Sequence, residues 1–376
     1  FADQSVNVVS DGYGGAQAAR QQLRTYGGAL QSFFLQDRLV TTVGYRNDMQ
    51  KNRQTAQSFV IDPTTGYGTS SNLDTYGDWT EREGSTTTYQ GVVRPFKDLK
   101  ALTTRSNAGG VGGYLADLID GFQLQYSYAD SFRPTSPAVN LYGEALGNPH
   151  GVGRDWGFSL HTPDNKFVVR VNWYKTYQYA SPLVGQFSLP VIIARDLETN
   201  PAFGLETFAR NVITARPQYA GASEAQIQSA IYDFVQLPQG FYDKIRAPQN
   251  VTDVNDQLSK GTEIELNYNP SRNLTFRFTA TQTKAIDLTL VESTAKFIAE
   301  RAPLWSTIAN DAGQTWWSVT PLAKNLYQSQ IVPNLLRMTA NLGKPRSQDK
   351  EWTWSALTTY RFTSGKLDGL AIGSTI

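Results

Sequence analysis

The sequence predicts an all-β protein: part of an antiparallel transmembrane β-barrel, with short periplasmic turns and long extracellular loops that carry small helices. Three observations predict this fold. Apolar and polar residues alternate with a period of two in several segments. The connections between these segments alternate between short and long. No segment has the roughly 20 mostly apolar residues that a membrane-spanning helix needs.

The composition excludes several classes of protein and site. Of the 376 residues, 12% are aromatic, and there is no cysteine, so disulfides and thiolate metal sites are excluded. The formal net charge is +1, which gives no electrostatic argument for binding nucleic acid. Hydrophobic residues make up 40% of the chain, and Tyr, Trp, Thr and Gly are abundant, which is typical of half-exposed strands.

About ten strands are expected, most of them as long as the roughly 9 to 11 residues that a tilted membrane-spanning strand needs. In chain order they are 27–36, 39–48, 85–94, 121–130, 155–162, 166–175, 262–268, 274–281, 352–362 and 367–376. The alternation is most regular in 274–281, where Leu274, Phe276 and Phe278 lie on one face. Thr275, Arg277 and Thr279 lie on the other.

The connections divide into short and long ones. Tight turns are predicted at Asp37-Arg38, 163–165, 269–273 and 364–366. Polar excursions are predicted at 49–84, 131–153, 178–260 and 286–351, and residues 1–24 are also predicted as loop. The connection at 96–120 is an exception, because it is long where the alternation requires a short turn. Its "GGVGG" at 109–113 lacks the Lys-Ser/Thr of a phosphate-binding loop and is predicted to be a flexible turn.

Two of the long loops carry helix signals. Ser223 and Gln226 match a capping box, and apolar residues follow at helical spacing. The segment 291–305 is predicted as helix up to Pro303.

Two features favour a membrane barrel over a soluble sandwich, which also alternates. Aromatic rings lie near the ends of the apolar faces, where a membrane interface accommodates them. The long loops exceed the 12 to 15 or so residues that are usual in a compact soluble domain. In the hairpin "SFFLQDRLVTTVGYRND", residues 32–48, we expect Leu39, Thr41, Val43 and Tyr45 to face lipid, with Val40, Thr42, Gly44 and Arg46 facing the lumen.

Charged residues inside the predicted strands are expected to face the lumen. These candidates are Arg46, Arg170, Glu263, Glu265, Arg277 and Arg361. Glu263 and Glu265 share one face, and we favour charge balance with the arginines over catalysis or ion binding. His150 and His161 lack metal-ligand spacing, so no metal site and no catalytic residue is predicted.

Five motifs in order resemble the β-barrel of TonB-dependent outer-membrane receptors. The hairpin of residues 32–48 resembles aromatic-x-Q-D/G-R-L-x-x-x-x-G-x-R-x-D. "QYSYADSFRPTSP" resembles a strand that ends in aromatic, Ser/Asp, Phe and Pro, carried here by Tyr128, Asp130, Ser131, Phe132 and Pro134. The remaining three are "GVGRDWG" at 151–157, "KGTEIELNYNP" at 260–270 and "YRFTSGKLDGLAIG" at 360–373. The particular residues in these motifs are similar to those of large receptors from verrucomicrobial-type bacteria.

The resemblance implies a barrel of about 22 strands, of which the chain would supply about ten. Neither the family's plug domain nor its partner-binding box is visible, and the chain stops at Ile376 within a predicted strand. We therefore expect residues 1–376 to be one internal part of a receptor barrel, without the plug and the C-terminal strands.

The resemblance also implies the function. It implies a protein of the Gram-negative outer membrane, not an enzyme and without a cofactor, that imports a scarce, large nutrient such as a siderophore or glycan. Its partners would be outer-membrane lipid, the nutrient and, through the plug, the TonB complex. Loops 178–260 and 286–351 are the candidate substrate-binding regions, with Trp316 and Trp317 as candidate aromatics, although packing is the favoured role for these rings.

Two alternatives stay open at the level of sequence. The first is a passive pore or an adhesion barrel. The second is a secreted, soluble carbohydrate-binding β-protein.

Overall fold

Ten antiparallel strands form one continuous sheet. A computed structural model of the chain describes residues 18–55, 59–61, 68–70, 74–132, 138–183, 188–246, 251–346 and 349–376. The strands of the large sheet are β1 Ala19–Phe34, β2 Leu39–Gln54, β5 Thr80–Val93, β6 Gln123–Phe132, β7 His150–His161, β8 Phe167–Pro182, β9 Val254–Tyr268, β10 Leu274–Leu290, β11 Trp352–Arg361 and β12 Ala371–Thr375. A separate small hairpin pairs β3 Phe59–Ile61 with β4 Gly68–Ser70.

The order of the strands in the sheet follows the chain from β1 to β12, and each strand pairs with its sequence neighbour in the sheet. This up-and-down order results from the short connections 35–38, 162–166, 269–273 and 362–370, which leave no room for a crossover. The first turn has left-handed backbone at Leu35, Gln36 and Asp37. We call the edge that carries these connections the turn rim, and the opposite edge the loop rim.

The core of the described residues lies in helices of the loop rim rather than in the sheet. The helices are α1 Lys100–Asn107, α2 Gly110–Asp120, α3 Leu189–Val191, α4 Leu205–Ala215, α5 Glu224–Val235, α6 Phe241–Arg246, α7 Glu292–Thr307, α8 Trp316–Val319, α9 Pro321–Leu326 and α10 Val332–Thr339, with π-helical segments at Ile192–Glu198 and Tyr327–Ile331. Helices α3 to α10 and the segment 138–149 bury one apolar cluster, which includes Leu141, Ile213, Ile231, Phe297 and Trp305. We call residues 138–149, 188–246 and 291–346 the helical unit.

The ten-stranded antiparallel sheet, the tight turns and the helices in the long loops confirm the predicted architecture. The sheet is not closed among the described residues, since β1 and β12 each have one neighbour. In the part of the chain that the structure describes, no helix is long and apolar enough to cross a membrane.

Several predicted boundaries are wrong. Several strands extend into the predicted excursions. Strand β2 continues to Gln54, β8 to Pro182 and β10 to Leu290, and β9 begins at Val254. Residues 19–24 belong to β1 rather than to a loop. The reason is that backbone pairing continues where the side-chain alternation ends, because polar side chains do not interrupt a ladder of hydrogen bonds. Conversely, the last strand is shorter than predicted. Residues 1–17 and Pro134 lie outside the described residues.

Two helix predictions also need correction. Helix α7 continues past Pro303 to Thr307, so the proline removes one backbone donor without ending the helix. The "GGVGG" segment is not a flexible turn throughout, because only Gly109 and Gly110 have positive φ and residues 110–113 begin α2.

Two glycines in the sheet provide space for an aromatic ring. Gly261 lies between Tyr174 and Thr283 in the register, and the Tyr174 hydroxyl crosses it to within 2.8 Å of the Thr283 Oγ1. A Cβ at Gly261 would lie 2.8 Å from this hydroxyl and 1.9 Å from the carbonyl oxygen of Gln282. Gly84 is covered by the ring of Phe132 in the same manner. The glycine of the "KGTEIE" motif is therefore explained by a ring that packs across the strand.

We predict that Gly261→Ala destabilises the sheet. The added methyl group has no space, and overpacking of this kind costs about 1 to 3 kcal/mol. The measurement is equilibrium unfolding in urea. The matched control is Gly91→Ala in β5, where an added Cβ would meet nothing within 4 Å. A loss of stability at position 91 as large as that at position 261 would contradict this explanation.

Candidate functional site

The two faces of the sheet differ in chemistry along entire rows of paired residues. Because directly paired residues of antiparallel strands point to the same face, the register can be followed from strand to strand. One row across nine strands contains only apolar residues: Phe34, Leu39, Val93, Leu124, Phe158, Val171, Ile264, Ala280 and Trp354. We call the face that carries this row the apolar face.

The opposite face, which we call the polar face, carries hydroxyl, amide and charged groups. One of its rows reads Gln31, Thr42, Gln90, Ser127, Asp155, Tyr174, Gly261 and Thr283. This row and the apolar row together show that the amphipathic character is a property of the whole sheet and not of single strands.

Large side chains of the apolar face are exposed rather than covered by other elements. The exposed fractions of Phe34, Leu124 and Trp354 are 48%, 46% and 57%. Aromatic side chains on this face are also exposed, and they are Tyr45, Tyr89, Tyr126, Trp156, Tyr268 and Tyr360. An exposed apolar surface of this extent marks a contact with lipid or with another protein.

All six charged candidates lie on the polar face. The register places Arg46, Arg170, Glu263, Glu265, Arg277 and Arg361 there together. The Arg170 Nη1 lies 3.3 Å from the Glu265 Oε2. The Asn267 side chain donates to Glu265 and accepts from the Arg277 Nε at 2.9 Å, which links the three charges. That this face lines a lumen remains a prediction.

Arg46 is paired differently from the expected balance with the glutamates. Its Nε lies 2.9 Å from the Oδ2 of Asp48, two residues along the same strand. Thr25 also donates to this carboxylate, at 2.7 Å. Asp48 is the partner that the sequence analysis missed, although its position two residues from Arg46 puts it on the same face of the strand.

The helical unit is joined by a buried carboxylate. Glu198 is fully buried, and its Oε1 accepts a hydrogen bond of 2.8 Å from the indole N–H of Trp305. The Arg301 Nε lies 3.4 Å from the same oxygen, and the Tyr242 hydroxyl donates to Oε2 at 3.1 Å. The Nη1 of Arg301 donates to the carbonyl of Val235 at 2.7 Å. Both carboxylate oxygens of Glu198 therefore accept hydrogen bonds. This arrangement stabilises the fold and is not that of a reactive base.

This network joins the two longest loops, because Glu198 and Tyr242 come from one and Arg301 and Trp305 from the other. Burial raises the pKa of Tyr242 well above its usual range, and the negative charge of Glu198 adds to the shift. Sequence reasoning did not identify the network. The only signal was the spacing of Phe297, Arg301 and Trp305 by four residues, which places them on one face of α7.

Three further contacts hold the helical unit together and to the strands. The Asp253 carboxylate accepts from the backbone N–H of Thr294 at 2.8 Å, where β9 begins. The Tyr142 hydroxyl donates to Glu300 at 2.6 Å. Burial and this hydrogen bond raise the pKa of Tyr142. On the surface, Arg216 binds Asp311 and lowers the pKa of that carboxyl.

The candidate aromatics have packing positions. Trp316 is fully buried in the apolar cluster, and its indole N–H donates to the carbonyl of Phe203 at 3.2 Å. Trp317 is partly buried, with its ring 5.3 Å from that of Tyr327. These positions agree with the packing role that the sequence favoured for these rings.

The histidines are separate from each other and from acidic clusters. The ring of His150 stacks on Tyr179 at 4.9 Å, and His161 ends β7 at the opposite rim. Among the described residues no group of three or more His, Cys, Asp or Glu could hold a metal ion.

Comparison with known proteins gives matches only among solved structures. No family model and no curated protein matches the chain. Three of the matching structures are the alcaligin outer-membrane receptor FauA of Bordetella pertussis, the ferric yersiniabactin uptake receptor FyuA of Yersinia pestis and the ferripyoverdine receptor of the outer membrane of Pseudomonas aeruginosa. All three are receptors.

The likeness to these receptors is distant. The identities are 11%, 7% and 11%, and the TM-scores are 0.44, 0.43 and 0.38. The matches cover 95%, 92% and 96% of this chain but only 37%, 32% and 38% of the receptors. The chain thus spans about a third of their length. At these TM-scores the architecture rests on the strand register described above, not on the likeness.

We predict that Arg301→Ala loosens the helical unit. Removing one partner of a buried ion pair leaves the other charge unpaired and costs about 3 to 5 kcal/mol. The measurement is amide hydrogen exchange in α5 and α7. The control is Arg216→Ala, which breaks the exposed pair with Asp311 and should cost about 0 to 1 kcal/mol. Equal exchange in the two variants would contradict a stabilising role for the buried network.

Proposed function

We propose that the chain is part of an outer-membrane β-barrel receptor that takes up a scarce, large nutrient. The observation that carries the proposal is the row of nine apolar residues across nine strands, with a row of polar side chains on the other face. An outward apolar band and a polar interior are what a barrel in a membrane requires.

The unequal rims support a receptor rather than a simple pore. The long loops on one rim fold into a helical unit with its own buried cluster, which is an ordered surface on which a ligand can bind. Among the described strands, the turn rim has three connections of about five residues or fewer, the connection 362–370 and one helical hairpin. The loops 178–260 and 286–351 remain the proposed substrate-binding regions.

The finer parts of the proposal follow from the family resemblance of the sequence motifs. They are uptake coupled to the TonB complex through a plug domain, and a substrate of the siderophore or glycan type. The polar face with Arg46, Arg170, Glu263, Glu265, Arg277 and Arg361 would line the lumen. The whole belongs to the outer membrane of a Gram-negative bacterium, and its role is transport rather than catalysis.

We predict that the native protein fractionates with outer membranes and runs as a heat-modifiable band on gels. This result is expected because a closed barrel in detergent resists unfolding until it is heated. Recovery as a soluble monomer without detergent would instead support the carbohydrate-binding alternative and overturn the proposal. A complete reading frame without an upstream plug would favour the passive pore.

The facing of β2 gives a second prediction. We expect Val43→Arg to destabilise the protein by about 2 to 4 kcal/mol, because Val43 lies on the apolar face and arginine near the bilayer midplane costs this much. The control is Thr42→Arg on the polar face, which should be mild. Both are measured by urea unfolding in lipid vesicles. Equal tolerance at the two positions would reject the assignment of the faces.

A further inference from the structure

The helical hairpin on the turn rim has an apolar side that no described element covers. Helix α2 presents Val111, Tyr114, Leu115 and Ile119, spaced by three, one and four residues, and all four are exposed. This spacing puts them on one side of the helix. Val111 is the most exposed of the four, with an exposed fraction of 80%.

The other side of α2 is packed. Gly113 and Ala116 are buried, and a Cβ on Gly113 would lie 2.9 Å from the carbonyl oxygen of Ser106 in α1. The Ser106 hydroxyl donates to Asp117, and the backbone N–H of Asp98 donates to Asp120 at 2.8 Å. The helix is thus fixed in rotation, with its apolar side directed away from α1.

Helix α2 also lies at the ends of the strands. It ends next to β6, and a Cβ on Gly121 would meet the carbonyl of His161 at the end of β7. Residues of α2 also lie next to β7. The C-terminal end of α2 is therefore held at the ends of the strands, where a membrane that the strands cross would have its interface.

The apolar side of α2 continues into the apolar face of the sheet. Phe122 follows α2 directly, and its ring lies 5.9 Å from that of Phe96 and 6.2 Å from that of Phe158. Phe158 belongs to the row of nine apolar residues. Tyr268, which ends β9, lies on the same face. The exposed side of the helix and the exposed face of the sheet therefore form one surface.

We propose that α2 is an interfacial helix that lies in the periplasmic leaflet of the outer membrane, with Val111, Tyr114, Leu115 and Ile119 in contact with phospholipid. This inference rests on the proposed function, since it takes the apolar face as the lipid-facing one. A helix of this kind buries its apolar side about 5 to 10 Å into the boundary between headgroups and acyl chains. It would anchor the connection 94–122, which is long where the other turns are short.

The absence of cysteine from the sequence allows a direct test. Single cysteines Leu115→Cys, Val111→Cys, Val43→Cys and Thr104→Cys are labelled with an environment-sensitive fluorophore. The labelled protein is reconstituted in phosphatidylethanolamine–phosphatidylglycerol vesicles that contain lipid spin-labelled at a shallow or a deep acyl position. Thr104 is an exposed residue of the polar helix α1 and is the matched control for a label in water.

The expected result is that the labels at positions 115 and 111 shift to the blue and are quenched by the shallow spin label. The label at 104 should be quenched by aqueous iodide instead. If lipid quenches the label at position 43 but not the labels at 115 and 111, the proposal of an interfacial helix is wrong and the proposal of a barrel still stands. In that case, protection of 115 from iodide would point to a protein partner or a second copy. Absence of lipid quenching at 43 as well would overturn both proposals.

Discussion

The structure depends on a ladder of backbone hydrogen bonds that joins ten strands into one sheet. In a hydrocarbon environment each unpaired N–H or C=O group costs several kcal/mol, so a spanning chain must satisfy these groups within itself. In this sheet the backbone groups pair between consecutive strands, since each strand of the large sheet pairs with its neighbours in the chain. The same ladder fixes the register, and the register fixes which side chains share a face. A slip of one residue between two strands would move every side chain of the slipped strand to the other face.

If the strands span a membrane as proposed, this constraint explains why the sheet has no conventional core. Its apolar face is exposed, and its polar face carries hydrogen-bonded charges such as Arg170, Glu265 and Arg277. Packing in the usual sense is found in the helical unit, where two long loops meet around Glu198 and Trp305. The molecule thus combines two modes of stabilisation. The strands are held by backbone pairing, and the loops by a buried apolar cluster with one buried ion pair.

The sequence predicted the sheet well because alternation and turn chemistry are local signals. The segment 274–281 and the turn at Asp37-Arg38 could be identified from a few residues each. A strand end such as Gln54 could not, because the residues there are polar on both faces and only the pairing partner keeps them extended. The network of Glu198 and Arg301 is also beyond local signals, since 103 residues separate the two side chains. The pairing of Arg46 with Asp48 is different, because the two residues are only two positions apart on one face of β2 and their spacing is a local signal.

The proposed barrel requires that the apolar face contacts lipid and the polar face contacts water. The most direct measurement is paramagnetic broadening of side-chain NMR signals in vesicles, with spin labels on the acyl chains or in the water. Val171 and Ile264 belong to the apolar row, and Asn172 lies on the polar face of the same strand as Val171. We expect that acyl-chain labels broaden the methyl signals of Val171 and Ile264, and that the water-soluble label broadens the amide of Asn172. Methyl groups broadened only from the water, or equal broadening of all three residues by both labels, would contradict it.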